Sequence, residues 1–79
     1  MEKDKAEQAV YLKQLGGRIA EIRKGKGITQ VELGYRCDIE KPNMRRIEAG
    51  NTNPTIITLR KIALALGIKV SELLSDLPD

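Results

Sequence analysis

Seventy-nine residues with a net charge of +3, 3% aromatic side chains, one cysteine and no histidine make a short, mildly basic chain. At this length there is room for one domain, which buries only roughly 60% of the surface its unfolded form exposes, so the core is small and its stability modest. One cysteine excludes an intrachain disulfide, and a zinc site without histidine would rest on one thiolate and carboxylates; no metal or cofactor is expected. No apolar run approaches the about 20 residues that span a bilayer, and Met1 to Lys5 is too charged to open a signal peptide, so the expected location is the cytoplasm or nucleoid, with no membrane partner.

Charge is unevenly placed. Between Arg18 and Ile47 stand Arg18, Arg23, Lys24, Lys26, Arg36, Lys41, Arg45 and Arg46 against Glu21, Glu32, Asp38 and Glu40, whereas Glu72, Asp76 and Asp79 leave the C-terminal end acidic. A molecule with a basic side and an acidic end follows. With Tyr11 and Tyr35 as the aromatic residues, the core must be built from Leu, Ile, Val and Ala, and no strand-like alternation, repeat or low-complexity tract interrupts the helical spacing.

Leu12, Leu15, Ile19 and Ile22 recur at three and four, which predicts a first helix from about Ala6 to Lys24, ended by Gly25 and Gly27. Gly16 and Gly17 inside it cost about 1 kcal/mol each relative to Ala, so a close helix crossing is expected there. Thr29 opens a second helix through the T-x-x-E capping box to Glu32; Val31, Leu33 and Tyr35 offer apolar surface, Cys37 closes it as buried packing, and Asp38 makes the turn. A third helix opens near Glu40 with Pro42 in its first turn, where the missing amide hydrogen costs nothing. Met44 and Ile47 face inward, Lys41, Pro42, Arg45, Arg46 and Ala49 face outward, and Gly50 caps the end. After the polar loop Asn51 to Pro54, Thr55 caps a fourth helix carrying Leu59, Ile62, Ala63 and Leu66 and stopped by Gly67. A fifth, short helix runs from Val70 to about Asp76.

The stretch Thr29 to Gly50 is thus a tight pair of helices whose second member is basic, of the size and charge that enters a DNA major groove. Segments LGGRIAEIRKGKGITQVEL (15–33), IEAG (47–50), Pro54 and TLRKIALALGIKVSELL (58–74) stand in an order and spacing that resembles the phage-repressor-like helix-turn-helix family, the Cro and lambda-repressor (Xre) type. The resemblance implies an all-α, five-helix domain over 15–76, with 1–14 an N-terminal extension running into helix one and 77–79 a tail. It implies binding of double-stranded DNA by the third helix, as a homodimer on a palindromic operator, in a repressor-like transcriptional regulator.

Carried over position by position, the resemblance places Lys41, Pro42 and Arg46 where base edges are read. Arg and Lys both donate to guanine O6 and N7, whereas Pro42 brings no donor and could touch a thymine methyl or only fix the helix start. Gln30 resembles a glutamine that meets a phosphate and braces the reading helix. Asn43, Arg45, Asn51, Asn53 and Thr55 fall among phosphate or positioning contacts, and Thr52 lies in the same loop. Arg23 and Glu48 correspond to a structural ion pair between helices one and three. Four positions depart from the family pattern: Asp38 stands for the usual Gly, Gly34 for the usual Ala, Pro42 for a usually polar reading residue, and Lys69 for a Ser-like cap of helix five, which leaves that helix prone to fray.

An enzyme is disfavoured, since there is no histidine and the carboxylates are scattered. The rival from another class is a protein-interaction adaptor built on the same bundle. Within DNA binding, a stand-alone repressor, a restriction-modification controller and an antitoxin with a toxin partner all fit the length.

Overall fold

The structure, a computed structural model, describes residues 2–78; Met1, the start of the expected extension, and Asp79, the end of the expected tail, lie outside the described residues. Five helices follow one another: α1 (Glu2–Gly25), α2 (Gln30–Cys37), α3 (Lys41–Ala49), α4 (Ile56–Leu66) and α5 (Val70–Leu74), with no strand among the described residues.

Helix α1 begins a turn before the expected Ala6. Nothing between Glu2 and Ala6 breaks a helix. Asp4 through Val10 are exposed, so continuity with the packed part of α1 carries those first turns rather than burial. Within the expected stripe Leu15 and Ile19 are buried, while Leu12 and Ile22 sit half-buried at its margins.

The core gathers Leu15, Ile19 and Ile28 with Leu33 and Cys37 of α2, Met44 and Ile47 of α3, Leu59, Ile62, Ala63 and Leu66 of α4, and Leu73 of α5. Ile28, in the link before α2, joins this core although no periodicity marks it. Two expected apolar contacts of α2 are corrected: Val31 is 55% and Tyr35 88% exposed. Spaced by four, these two share a side, and Leu33 with Cys37, also spaced by four, own the opposite one; a helix of eight residues buries a single stripe.

The two glycines of α1 differ sharply. A Cβ on Gly16 would strike the carbonyl oxygens of Ile47 and Glu48, whereas one on Gly17 meets nothing within 4 Å. The expected close crossing is therefore made at Gly16 alone, where α1 rests on the last turn of α3. Helix α5 stops at Leu74, short of the expected Asp76, because Ser75 is extended (φ −69°, ψ 150°) and turns its Oγ back to donate to the carbonyl of Glu72 at 2.9 Å. Its start is held by a carboxylate in place of a hydroxyl: the Lys69 amide donates to Glu72 Oε1 at 3.2 Å. Among the described residues no helix is long and apolar enough to cross a membrane.

Candidate nucleic-acid interface

Helices α2 and α3 are joined through Asp38, whose left-handed backbone (φ 58°, ψ 44°) makes the turn a glycine would make more cheaply. The Ile39 amide donates to the Gly34 carbonyl at 2.8 Å, and a Cβ on Gly34 would lie 2.6 Å from the Ile39 oxygen. Two of the four departures from the family pattern thus meet at one turn, and the turn forms with them. At the other end of α3, Gly50 (φ 76°) caps the helix against α1: a Cβ there would stand 2.7 Å from the Lys13 amide nitrogen.

Behind α3 lies a buried clamp. Arg23 Nε donates to Glu48 Oε2 at 2.7 Å and its Nη2 to Oε1 at 2.9 Å, a two-pronged ion pair linking α1 to the end of α3. The third prong, Nη1, donates to the Ile28 carbonyl at 2.9 Å and so holds the link between α1 and α2. From the first turn of α2, Gln30 Nε2 donates to Glu48 Oε1 at 3.0 Å. The side chains of Arg23 and Glu48 are 9% and 7% exposed. Hydrogen bonding to Glu48 holds the Arg23 pKa above its ordinary value, against the opposing effect of burial and with added attraction from the Glu48 charge. The guanidinium is therefore charged at every pH at which the protein folds.

The front of α3 is a different surface. At about 3.6 residues per turn, Pro42, Arg45, Arg46 and Ala49 lie opposite Met44, Ile47 and Glu48, with Lys41 and Asn43 on the two flanks. Lys41, Pro42, Asn43, Arg45 and Arg46 are all exposed. Neither Lys41, Arg45 nor Arg46 has a carboxylate partner among the described residues. Arg46 Nη1 instead donates to the Asn43 Oδ1 at 3.2 Å. A helix of nine residues with donors on one side and a clamp on the other presents cations without spending them on intramolecular pairs.

The loop to α4 contributes amides and hydroxyls. Asn51 and Asn53 are exposed, and Thr55, also exposed, caps α4 by accepting from the Thr58 amide at 3.1 Å, with its hydroxyl 3.0 Å from that of Thr58. Asn43, Asn53 and Thr55 come together along one shallow groove between α3 and α4, which Thr52, Thr58 and Lys61 also line and which Asp38 and Glu40 make partly acidic. Gln30, Lys41, Pro42, Arg45, Arg46 and Asn51 stand outside that groove. Thr58 and Lys61 escaped the sequence reading; the only signal for Thr58 is its place three residues after the cap, and Lys61 follows one turn later. The Gln30 to Glu48 bond, which crosses between helices, has no signature in local spacing.

Cys37 belongs to the scaffold. Its Sγ donates to the Leu33 carbonyl at 3.0 Å, and burial raises the thiol's pKa despite the charge of Lys61, so it stays protonated and unreactive at neutral pH. Among the described residues no cluster of His, Cys, Asp or Glu is arranged to hold a metal ion.

The helix-turn-helix family pattern matches residues 19–73. An uncharacterised helix-turn-helix transcriptional regulator, y4dJ of Sinorhizobium fredii, is 38% identical over 63 residues, 80% of this chain and 82% of the relative. The immunity repressor protein of Bacillus phage phi105 is 37% identical over 62 residues, 78% of this chain and 43% of that longer protein. Among solved structures, the restriction-modification controller protein C.AhdI of Aeromonas hydrophila superposes with a TM-score of 0.77 at 31% identity, covering 78% of this chain and 94% of the controller. With an exposed basic helix held from behind at the second position of a tight helix pair, the chain belongs to the helix-turn-helix family of DNA-binding transcriptional regulators, and double-stranded DNA is its partner.

Proposed function

We propose that the protein is a repressor-type regulator that binds a two-fold-related operator as a homodimer, laying α3 of each protomer in the major groove. The observation that carries this reading is the contrast across α3: a buried Arg23–Glu48–Gln30 clamp behind, and exposed cationic donors without carboxylate partners in front. Arg46 and Lys41 donate to guanine O6 and N7, Pro42 abuts the bases between them, and Arg45 meets a phosphate. Gln30, whose Nε2 has a second hydrogen beyond the one given to Glu48, positions the helix pair on the backbone of one strand. Asn51, Asn53 and Thr55 meet phosphates from the loop across the groove, where amides and hydroxyls act without added charge. The likeness to a phage immunity repressor supports the sign of regulation.

Selection from random duplex DNA followed by footprinting tests the whole reading. A palindromic motif is expected, with half-sites centred about 34 Å apart, one turn of the duplex. An isolated half-site contradicts the dimer, and failure to enrich any sequence at low salt returns the chain to the adaptor class. Arg46→Ala is expected to lose about 1–3 kcal/mol of discrimination at a guanine while leaving the salt dependence of binding nearly unchanged. A uniform loss over all sequences would make Arg46 a phosphate contact.

A second reading, control of a restriction-modification gene pair, is favoured by the likeness to the C.AhdI controller, 94% of which is matched at 31% identity. The position of the selected operator relative to such genes decides between them.

A further inference from the structure

From the hydrogen bond between Arg46 Nη1 and Asn43 Oδ1, we infer that Asn43 is a positioning residue which holds Arg46 as a guanine reader, the two side chains acting as one unit. This rests on the proposed role of Arg46 and adds to it the determinant of how Arg46 reads. Arginine has donors only, so the Asn43 atom 3.2 Å from Nη1 is the amide oxygen, and the amide NH2 faces away from the guanidinium. Two consequences follow from that orientation.

The first concerns Arg46. Its side chain is exposed and carries large rotamer entropy, most of which must be lost when a bidentate pair forms. Asn43, one turn earlier on the same helix, restricts it beforehand. With Nη1 tied, Nε and Nη2 remain as a parallel pair of donors matched to the O6 and N7 edge of guanine. An arginine already oriented gains discrimination because less ordering is left to be done on binding.

The second concerns Asn43 itself. A free asparagine recognises adenine by accepting from N6 while donating to N7. One of the two lone pairs of the Asn43 oxygen is taken by Arg46, so accepting from adenine N6 as well would crowd Asn43, the guanidinium and the base around one atom. Its NH2 is then suited to acceptors, among them the phosphates that pass the groove it shares with Asn53 and Thr55. The pair therefore presents mainly donors, which favours guanine O6 and N7 over the donor groups of adenine N6 and cytosine N4.

The test compares wild type, Asn43→Ala, Asn43→Asp and Arg46→Ala in selection from random duplexes, followed by affinity measurements on the selected site and on sites changed one base pair at a time, at two salt concentrations. In wild type, replacing the guanine that depends on Arg46 is expected to weaken binding about 5- to 150-fold. Asn43→Ala is expected to cut that ratio roughly three- to tenfold, the share of discrimination that prior orientation supplies, with ratios at other positions unchanged. Asn43→Asp restores the acceptor for Arg46 but removes the amide donors, so it should keep the guanine ratio while weakening binding to every sequence through repulsion of phosphates. If Asn43→Ala keeps the full guanine ratio, with or without a uniform loss of affinity, Asn43 does not hold Arg46 for reading and the inference fails, with Arg46 still reading. If Arg46→Ala leaves the selected motif intact, the proposed role of Arg46 and this inference fall together.

Discussion

The two sides of α3 obey opposite rules. Its back is nearly closed to solvent and every charged atom there is matched: Glu48 receives two bonds from Arg23 and one from Gln30. Its front is open, and its cations have no carboxylate opposite them among the described residues. Burial makes the back intolerant of loss, because a charge stripped of its partner in a dry site has no water to fall back on. Exposure makes the front tolerant, because water replaces whatever a truncated side chain gave up. Stability is thereby written on one face of nine residues and the proposed recognition on the other.

The sharpest way to break that contrast is Arg23→Ala. It leaves Glu48 buried without its ion-pair partner, and the expected loss is about 3–5 kcal/mol. A domain of this size has roughly 4–12 kcal/mol in all, so a loss of that size removes about a quarter of it at the least, and DNA binding should fall in step with the folded fraction. Urea titration measures it; a variant as stable as wild type would mean that the clamp is not what holds α3. Arg46→Ala, by contrast, should stay within about 0.5 kcal/mol of wild type in the same titration. Next in size is a pair of neighbours on α1. Gly16→Ala forces a methyl group into the carbonyls of Ile47 and Glu48 and should cost about 1–3 kcal/mol. Gly17→Ala, placed in open space on the same helix, should stabilise by up to about 1 kcal/mol. Equal shifts in melting temperature for the two would remove the α1–α3 crossing from the account.

Smaller still is Asp38→Gly, which relieves the left-handed strain at the turn and should raise stability by about 0.5–1 kcal/mol without altering the selected motif. The smallest effect is electrostatic and belongs to Cys37. Its thiol titrates higher when folded than when unfolded, so the folded state holds the proton more tightly. That contribution is complete below the unfolded pKa of about 8.5 and is lost as pH climbs through the raised folded value. Stability should therefore decline more in alkali for wild type than for Cys37→Ala, when each is compared with its own value at neutral pH. Parallel curves would show that the thiol is solvated.

Much of the fold was legible because its punctuation is chemical. Thr29 and Thr55 cap where a hydroxyl should, Gly50 and Gly67 take positive φ where a helix must stop, and Met44 with Ile47 fall on one stripe. What escaped the sequence was whatever depends on a second element. Val31 and Tyr35 read as core until Leu33 and Cys37 claimed the buried side of a short helix. Gly16 and Gly17 are indistinguishable in sequence, and only α3 separates them. Likewise Ile28 gains its place in the core and its carbonyl a guanidinium from contacts that no periodicity encodes. At the candidate interface the exposure of these residue types was readable, since cations and amides outside an apolar stripe have few other places to point. Their pairing was not: Asn43 and Arg46 stand at a helical spacing that allows contact, and the coordinates are needed to see that it is made.

Glu48 also decides which partner yields on binding. One carboxylate on α3 that accepts bonds from α1 and α2 ties that helix to both neighbours. A duplex is elastic, with a persistence length of about 50 nm and steps that differ in stiffness. If α3 docks as proposed, curvature needed to match its base contacts falls to the DNA, and sequences that bend easily between the proposed half-sites are expected to bind better without being touched.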